Sequence, residues 1–187
     1  MKIDIKQIAP FFILCCIAIA SIFVKSVPNF SDTSQYNGAD IAWMLVATAL
    51  VFLMTPGLAL FYGGMVHRKN VISTMIKSTV AAGVVTVIWV AFGYSLCFGD
   101  TLGGFVGNPM THFFFKDVNN TAPWSLAPTI PKTLFSLFQL MFAIITPALI
   151  SGAIADRAKF TSWAIFVGIW STVVYFPVAH WVFAFGN

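Results

Sequence analysis

Residues 55–70 read TPGLALFYGGMVHRKN, and this stretch decides how the whole chain is arranged. It closes a long apolar segment, places two glycines after the aromatic pair Phe61-Tyr62, and stops at the basic pair Arg68-Lys69. An apolar helix that ends in arginine and lysine has the form of a membrane span that has reached the cytoplasmic side. The stretch therefore predicts a transmembrane helix whose C-terminal end faces the cytoplasm.

The composition assigns the chain to the integral membrane proteins. Of its 187 residues, 59% are hydrophobic and only 9% are charged, whereas a soluble domain carries about 25% charged residues. The net charge of +4 is small, and the basic residues lie at the ends of apolar segments instead of forming one groove. This distribution argues against nucleic acid as a partner.

Apolar segments without a charged side chain occur five times, and each is long enough to cross a bilayer as a helix. They cover residues 7–24, 41–66, 78–99, 133–155 and 160–187. None alternates between polar and apolar residues as a barrel strand does. We expect an all-α polytopic membrane bundle, in which an N-terminal segment precedes helical spans at about 41–66, 71–99, 133–155 and 160–183.

Basic residues set the orientation of these spans. If the short connections that hold Arg68 and Arg157 face the cytoplasm, the four later spans run alternately inward and outward. Lys77 lies roughly two turns from the inner end of its span, within reach of the interface for a long side chain. Seven of the ten basic residues then lie inside, namely Lys2, Lys6, Arg68, Lys69, Lys77, Arg157 and Lys159, whereas Lys25, Lys116 and Lys132 lie outside.

The N-terminal residues 1–25 admit two interpretations. Two lysines precede an apolar core, and Ala18-Ile19-Ala20 has the small-x-small form of a cleavage site, which favours a secretory signal peptide. The apolar residues that continue to Val24 favour an uncleaved N-terminal helix instead. Both interpretations place residues 26–40 on the side opposite the cytoplasm.

A pair of phenylalanines in the segment 133–155 is the first candidate for function. Phe138 and Phe142 are four residues apart, so a helix places both rings on one face, roughly one to three turns below the outer surface. Two stacked rings there can close a narrow pore to hydrated ions while a small neutral molecule passes. The alternative is ordinary packing, because a chain with 20 phenylalanines produces such pairs by accident.

The last apolar segment holds further candidates near its outer end. His180 is the single histidine at membrane depth, and a polar residue there either serves function or forms structural hydrogen bonds near water. Trp181 and Phe183 suit the aromatic belt of a membrane protein, and aromatic faces can also hold a small cation. The residues alone leave both alternatives open.

Patterns typical of catalysis and metal binding are missing from the sequence. It has no nucleophile paired with a base, no phosphate-binding loop and no cluster of metal ligands, and Cys15, Cys16 and Cys97 do not have a metal-binding spacing. We therefore expect no enzymatic activity, no cofactor and no metal.

Four motifs in order resemble the N-terminal part of the ammonium transporter (Amt/Rh) family. The resemblance covers residues 37–187 and places the motifs on the spans expected above. The motifs are TPGLALFYGGMVHRKN at 55–70, WVAFGYSLCFGD at 89–100, FQLMFAIITPALISGAIADRAKF at 138–160 and FPVAHW at 176–181.

The resemblance implies a fold and a transport mechanism. Members of the family are homotrimers of eleven-span subunits built from two inverted repeats. They recruit ammonium at outer aromatic residues, and ammonia then passes a phenylalanine gate. Phe142 takes the position of the gate, Phe138 that of a recruitment-site phenylalanine one turn earlier, and Phe183 stands where the family has its recruitment tryptophan. The implied substrate is ammonium or ammonia, and the implied location is the inner (plasma) membrane of a bacterium.

About four of the family's spans fall within this chain. The two pore histidines of the family, and the aspartate that follows its recruitment tryptophan, belong to later spans, and His180 is not one of those two histidines. We therefore expect residues 1–187 to be a truncated portion that does not conduct alone. The alternative function is an ammonium sensor or regulatory membrane protein, and the two short cytoplasmic connections offer a docking face for a PII-type signal protein.

Overall fold

The computed structural model describes residues 16, 19, 32–119, 122–155 and 157–184. Within these residues, the predicted all-α membrane bundle is confirmed. The predicted signal peptide or helix at 1–25 lies outside the described residues, apart from Cys16 and Ile19. Among the described residues, four helices are long and apolar enough to cross a membrane: α1 (Gly38–Met65), α2 (Arg68–Phe98), α3 (Lys132–Ile150) and α4 (Phe160–Phe183).

The stretch 55–70 forms the end of α1 and the turn that follows. α1 begins after Asn37, whose side-chain carbonyl accepts a hydrogen bond from the Ala39 amide at 2.9 Å, as an N-cap does. A helix of 28 residues is roughly 42 Å long, which exceeds the ~30 Å hydrocarbon core. The helix continues through Pro56, and the 3₁₀ turn Arg68–Asn70 reverses the chain.

Small residues bring α1 close to α2. Thr55, Ala59 and Gly63 recur every four residues and are the buried residues of α1, a spacing that lets two membrane helices approach closely. A Cβ atom on Gly63 would lie 3.1 Å from Cγ of Met75 on α2. The stretch that marks the membrane span therefore also supplies its packing face.

A π-helical turn interrupts each of two spans, and a ring contact joins the two turns. α2 contains Trp89–Gly93, and α4 contains Ser171–Tyr175. The Phe176 ring, directly after the second turn, is fully buried and lies 5.9 Å from the Trp89 ring. A Cβ atom on Gly93 would come within 2.7 Å of the Phe176 ring, so the close approach depends on that glycine.

α3 is shorter than the sequence predicts. The span expected at 133–155 ends at Ile150, and the chain then turns. The Tyr62 hydroxyl of α1 donates a hydrogen bond to the Leu149 carbonyl at 2.8 Å and so satisfies one of the carbonyls left free at a helix end. A Cβ atom on Gly152 would lie 2.6 Å from the Tyr62 ring. The glycine makes room for this contact, and the hydropathy of the segment gives no sign of it.

Contacts at the span ends show that the four helices alternate in direction. The Asn37 amide donates to the Thr129 carbonyl at 2.9 Å, so the start of α1 lies beside the connection that precedes α3. Lys77 Nζ on α2 donates to the Ala158 carbonyl, between α3 and α4, at 3.4 Å. The Lys77 side chain therefore reaches this end of the bundle, as expected. It is only 3% exposed, and its ammonium group bonds to the protein backbone there. This is the end expected to face the cytoplasm.

The connection between α2 and α3, residues 99–131, contains the only strands among the described residues. β1 (Thr101–Leu102) and β2 (Val106–Gly107) pair in an antiparallel hairpin. The Gly103-Gly104 pair turns the hairpin with φ values of 61° and 76°, which a residue with a Cβ atom rarely adopts. A 3₁₀ turn, Phe113–Phe115, follows and packs against the π turn of α2.

Aromatic rings form the core at the end of the bundle far from Lys77. Phe98, the last residue of α2, meets Trp124 at 5.6 Å and Phe135 of α3 at 5.1 Å, both edge to face. All three side chains are buried. Since Trp124 belongs to the 99–131 connection, these contacts hold the connection, α2 and α3 together at the end that carries the candidate site.

Candidate functional site

The phenylalanine pair identified by its spacing lies on α3, and its two rings are in contact. The Phe138 and Phe142 ring centroids are 5.0 Å apart with the ring planes at 76°, an edge-to-face arrangement that aromatic pairs prefer. Both side chains are half-buried. They lie roughly 9 and 15 Å along the helix axis from Lys132 at the start of α3.

Contacts of neighbouring residues on α3 fix the orientation of the pair. Phe135 and Ser136 are buried, and the Trp89 indole N–H of α2 donates to the Ser136 hydroxyl at 3.2 Å. The Thr146 hydroxyl donates to the Phe142 carbonyl at 2.6 Å. Phe135, Phe138 and Phe142 follow the i, i+3, i+7 spacing of one helix face, so the pair lies on the same side of α3 as Phe135, beside the aromatic core.

The structure does not bring Phe183 into contact with the pair. Phe183 is the last residue of α4 and is 44% exposed. Among the described residues, no ring contact joins it to Phe138 or Phe142. Phe138 and Phe142 are therefore neighbours, whereas Phe183 is separate from them. All three lie toward the same end of the bundle.

His180 and Trp181 attach the end of α4 to neighbouring elements. The buried His180 ring places Nδ1 2.9 Å from the Cys97 carbonyl and Nε2 3.1 Å from the Thr101 hydroxyl. The Trp181 indole N–H donates to the Phe105 carbonyl at 2.6 Å, and the two rings are 4.9 Å apart. Of the two roles that the sequence left open for His180, these contacts support the structural one.

A second histidine at this end, His112, was not identified from the sequence. Its buried ring lies 5.4 Å from the Tyr94 ring, its amide donates to the Ser95 hydroxyl at 2.7 Å, and Nδ1 lies 3.1 Å from the Lys116 carbonyl. Burial, and then the nearby positive charge of Lys132, lower the pKa of His112. No motif marks this residue, because its surroundings form only when the 99–131 connection folds back against α2.

The chemistry available at this end is aromatic and apolar. The described part of the chain contains no group of three His, Cys, Asp or Glu side chains that could hold a metal ion. Aromatic faces attract small cations, and an apolar lining favours neutral molecules over hydrated ions. The arrangement is therefore suited to selecting a small molecule by its charge.

Comparisons with a family profile and with individual known sequences all point to the same protein family. The sequence profile of the Ammonium Transporter Family matches residues 42–187. An ammonium transporter from Mycobacterium bovis is 55% identical, in an alignment that covers 80% of this chain and 34% of that protein. An ammonium transporter from Aquifex aeolicus is 43% identical, with 90% and 39% covered.

Solved structures share the arrangement of the spans. Candida albicans Mep2 superimposes with a TM-score of 0.72 at 35% identity, and the match covers 84% of this chain and 34% of that one. A structure named Sensor Amt Protein gives a TM-score of 0.68 at 26% identity, with 78% and 34% covered. The chain thus spans about a third of the length of the relatives it matches.

Proposed function

The chain belongs to the ammonium transporter family, and we propose that it forms part of a pathway by which ammonium or ammonia crosses the membrane. The observation that carries this proposal is the edge-to-face contact of Phe138 and Phe142 at 5.0 Å on a membrane-spanning helix. The two relatives of 55% and 43% identity are named transporters, whereas the structure named a sensor is 26% identical. These identities favour transport over sensing, and a transporter over an enzyme.

In this proposal Phe138 receives the cation and Phe142 is the gate below it. A cation over an aromatic face gains about 0.5–2 kcal/mol, depending on how far it is desolvated, which is enough to concentrate ammonium without trapping it. A charged species must shed its water to pass two apolar rings, whereas a neutral one pays far less. The pair therefore favours passage of neutral ammonia over passage of ammonium.

Phe183 is the third ring of the proposed outer site. It takes the place of the family's recruitment tryptophan, and its partly exposed side chain lies at the end of α4. A phenyl ring binds cations less strongly than an indole. We therefore assign this protein a weaker recruitment site than that of relatives with tryptophan.

The described helices do not enclose a pore by themselves. In the most apolar part of α1 only 11% of the residues are buried, and both rings of the pair are only half-buried. A closed pathway needs further helices against these faces, so residues 1–187 alone do not conduct. In the family's architecture those helices come from an eleven-span subunit and a homotrimer.

The proposed location is the inner (plasma) membrane of a bacterium, with the basic connections in the cytoplasm. Arg68, Lys69 and Arg157 lie at one end of the bundle and are exposed. Under the positive-inside rule that end is cytoplasmic. A PII-type signal protein is the partner proposed for this face, and lipid surrounds the spans.

A chimera tests the transport proposal. Residues 38–183 replace the matching residues of the 55% identical Mycobacterium bovis transporter, in a bacterium that lacks its own ammonium transporters. We expect saturable uptake of radiolabelled methylammonium by the chimera, with competition by ammonium. We expect residues 1–187 expressed alone to give no uptake above the empty vector.

Two outcomes would count against the proposal. A chimera that is purified folded, in the oligomeric state of the parent, and yet takes up no methylammonium would show that these spans do not support transport. Saturable uptake by residues 1–187 alone would show that no further helices are needed.

A further inference from the structure

The 3₁₀ turn Phe113–Phe115, here named the phenylalanine turn, has an unusual backbone. Phe114 and Phe115 have φ values of 50° and 58°, in the left-handed region that bulky side chains rarely adopt. Such a conformation persists only where its surroundings hold it in place.

Phe115 points into the protein, and the other two rings point out of it. The Phe115 ring meets the buried Tyr94 ring edge to face at 5.7 Å. Phe113 and Phe114 are 40% and 66% exposed, with their rings 4.7 Å apart. The exposed Lys116 follows directly. The turn therefore presents two adjacent phenyl rings and one ammonium group on the surface.

The phenylalanine turn lies beside α2 and not beyond its end. Tyr94, which its third ring contacts, comes four residues before Phe98, the last residue of α2, or roughly 6 Å along the helix axis. The turn also packs against the π turn Trp89–Gly93, still further from that end. The connection therefore folds back alongside the last turns of α2, and the two exposed rings lie beside this span and not beyond its end.

The backbone of the phenylalanine turn supplies its own hydrogen bonds. The Phe115 amide donates to the His112 carbonyl at 2.9 Å, the Lys116 amide to the Phe113 carbonyl at 3.1 Å, and the Val118 amide to the Phe115 carbonyl at 3.2 Å. Irregular backbone is costly near hydrocarbon unless its polar groups are paired. These three internal bonds fit the turn to a location at the edge of the bilayer.

We propose that the phenylalanine turn anchors this end of the bundle in lipid. Phe113 and Phe114 insert into the interfacial layer of the adjacent leaflet, where aromatic side chains are favoured. The Lys116 ammonium lies at the level of the phosphates, because a flexible cationic side chain reaches toward the anionic headgroups. The position of the turn beside a membrane span and this charge complementarity favour lipid as the occupant of the surface. The inference does not depend on the proposed transport function.

Spin labels test which medium surrounds the two rings. Phe113→Cys and Phe114→Cys are made singly in the full chain with Cys15, Cys16 and Cys97 replaced by alanine, labelled with a nitroxide, and reconstituted in phosphatidylcholine–phosphatidylglycerol vesicles. Power saturation then compares collisions with oxygen, which concentrates in lipid, and with a water-soluble nickel chelate. Ile165→Cys on the exposed side of α4 is the membrane reference, and Ser34→Cys is the water reference.

Each outcome decides the proposal. We expect oxygen collisions to exceed nickel collisions at both positions, with a depth between the two references. Nickel collisions as frequent as at Ser34 would place the rings in water and overturn the lipid anchor. Few collisions with either reagent would mean that protein, such as a second copy of the chain, covers the rings, and would overturn it as well. Because each position is labelled separately, a misfolded variant at one leaves the other as a complete test.

Discussion

At the scale of the residue, the candidate site depends on which neighbours a few side chains contact. The contact between Phe138 and Phe142 could be predicted because helix geometry alone brings residues four apart together. The partners of His180 could not, since Cys97 and Thr101 are 83 and 79 residues away along the chain. Whether a polar residue at membrane depth serves function or structure is decided by such distant partners, which one sequence does not reveal.

Replacement of Phe183 tests the proposed outer site at a single ring. In the chimera described above, Phe183→Trp should lower the KM for methylammonium by about twofold to fivefold, because an indole holds a cation more strongly than a phenyl ring by ~0.5–1 kcal/mol. Phe183→Leu should raise KM, with little change in the maximal rate for either variant. Val182→Trp adds an indole one residue earlier and is the matched control. Equal KM values for all three variants would remove Phe183 from the site.

His112 makes the stability of the 99–131 connection depend on pH. Burial and Lys132 lower its pKa, and the carboxylates of Asp100 and Asp117 oppose that shift. Since the folded pKa lies below the unfolded value of about 6.5, the folded state binds fewer protons, and stability should fall as pH drops below about 6.5 until the folded pKa is passed. His112→Gln should reduce the loss of melting temperature between about pH 7 and pH 5. His67→Gln, at an exposed histidine, is the control, and an unchanged pH dependence in His112→Gln would contradict the assignment.

At the scale of the element, hydropathy locates the spans but not their irregularities. The span predicted at about 41–66 is α1, Gly38–Met65, because charged and polar residues mark where the apolar segment stops. The π turns Trp89–Gly93 and Ser171–Tyr175 have no such mark. The two turns are joined where the Phe176 ring packs against Gly93, and these residues belong to helices that are far apart in sequence. The phenylalanine turn escapes prediction for the same reason, since its position depends on packing against α2.

Gly93 is the residue at which the packing of the two π turns can be tested. Gly93→Ala places a Cβ atom 2.7 Å from the Phe176 ring, which is fully buried and has no room to move. Overpacking of this kind should lower the free energy of unfolding by about 1–3 kcal/mol. Gly83→Ala on the same helix has nothing within 4 Å of the new Cβ atom and should be near neutral. Unfolding in mixed micelles measures both, and equal stabilities would show that the contact is not tight.

At the scale of the whole molecule, basic residues predict the direction of every described span, and the contacts between span ends agree. Lys77 and the connection between α3 and α4 meet at one end, and His180 meets the end of α2 at the other. How the spans pack could not be predicted from the sequence. Gly63, Gly93 and Gly152 each leave space for a side chain of a neighbouring helix, and the sequence does not show which side chain that is. The exposed residues of α1 and α3 follow from that packing, and under the proposed function further helices cover them.

One measurement decides whether α3 lines the proposed ammonium pathway. In the chimera without other accessible cysteines, Phe142→Cys and Leu137→Cys are treated from outside with a cationic methanethiosulfonate while methylammonium uptake is followed. Leu137 is on the same helix and 41% exposed, but lies on a different face from Phe142. We predict that the reagent inhibits uptake by Phe142→Cys, that excess ammonium slows this inhibition, and that Leu137→Cys is unaffected. Uptake by Phe142→Cys that is insensitive to the reagent, or inhibited no more than that of Leu137→Cys, would contradict a pathway along the phenylalanine pair.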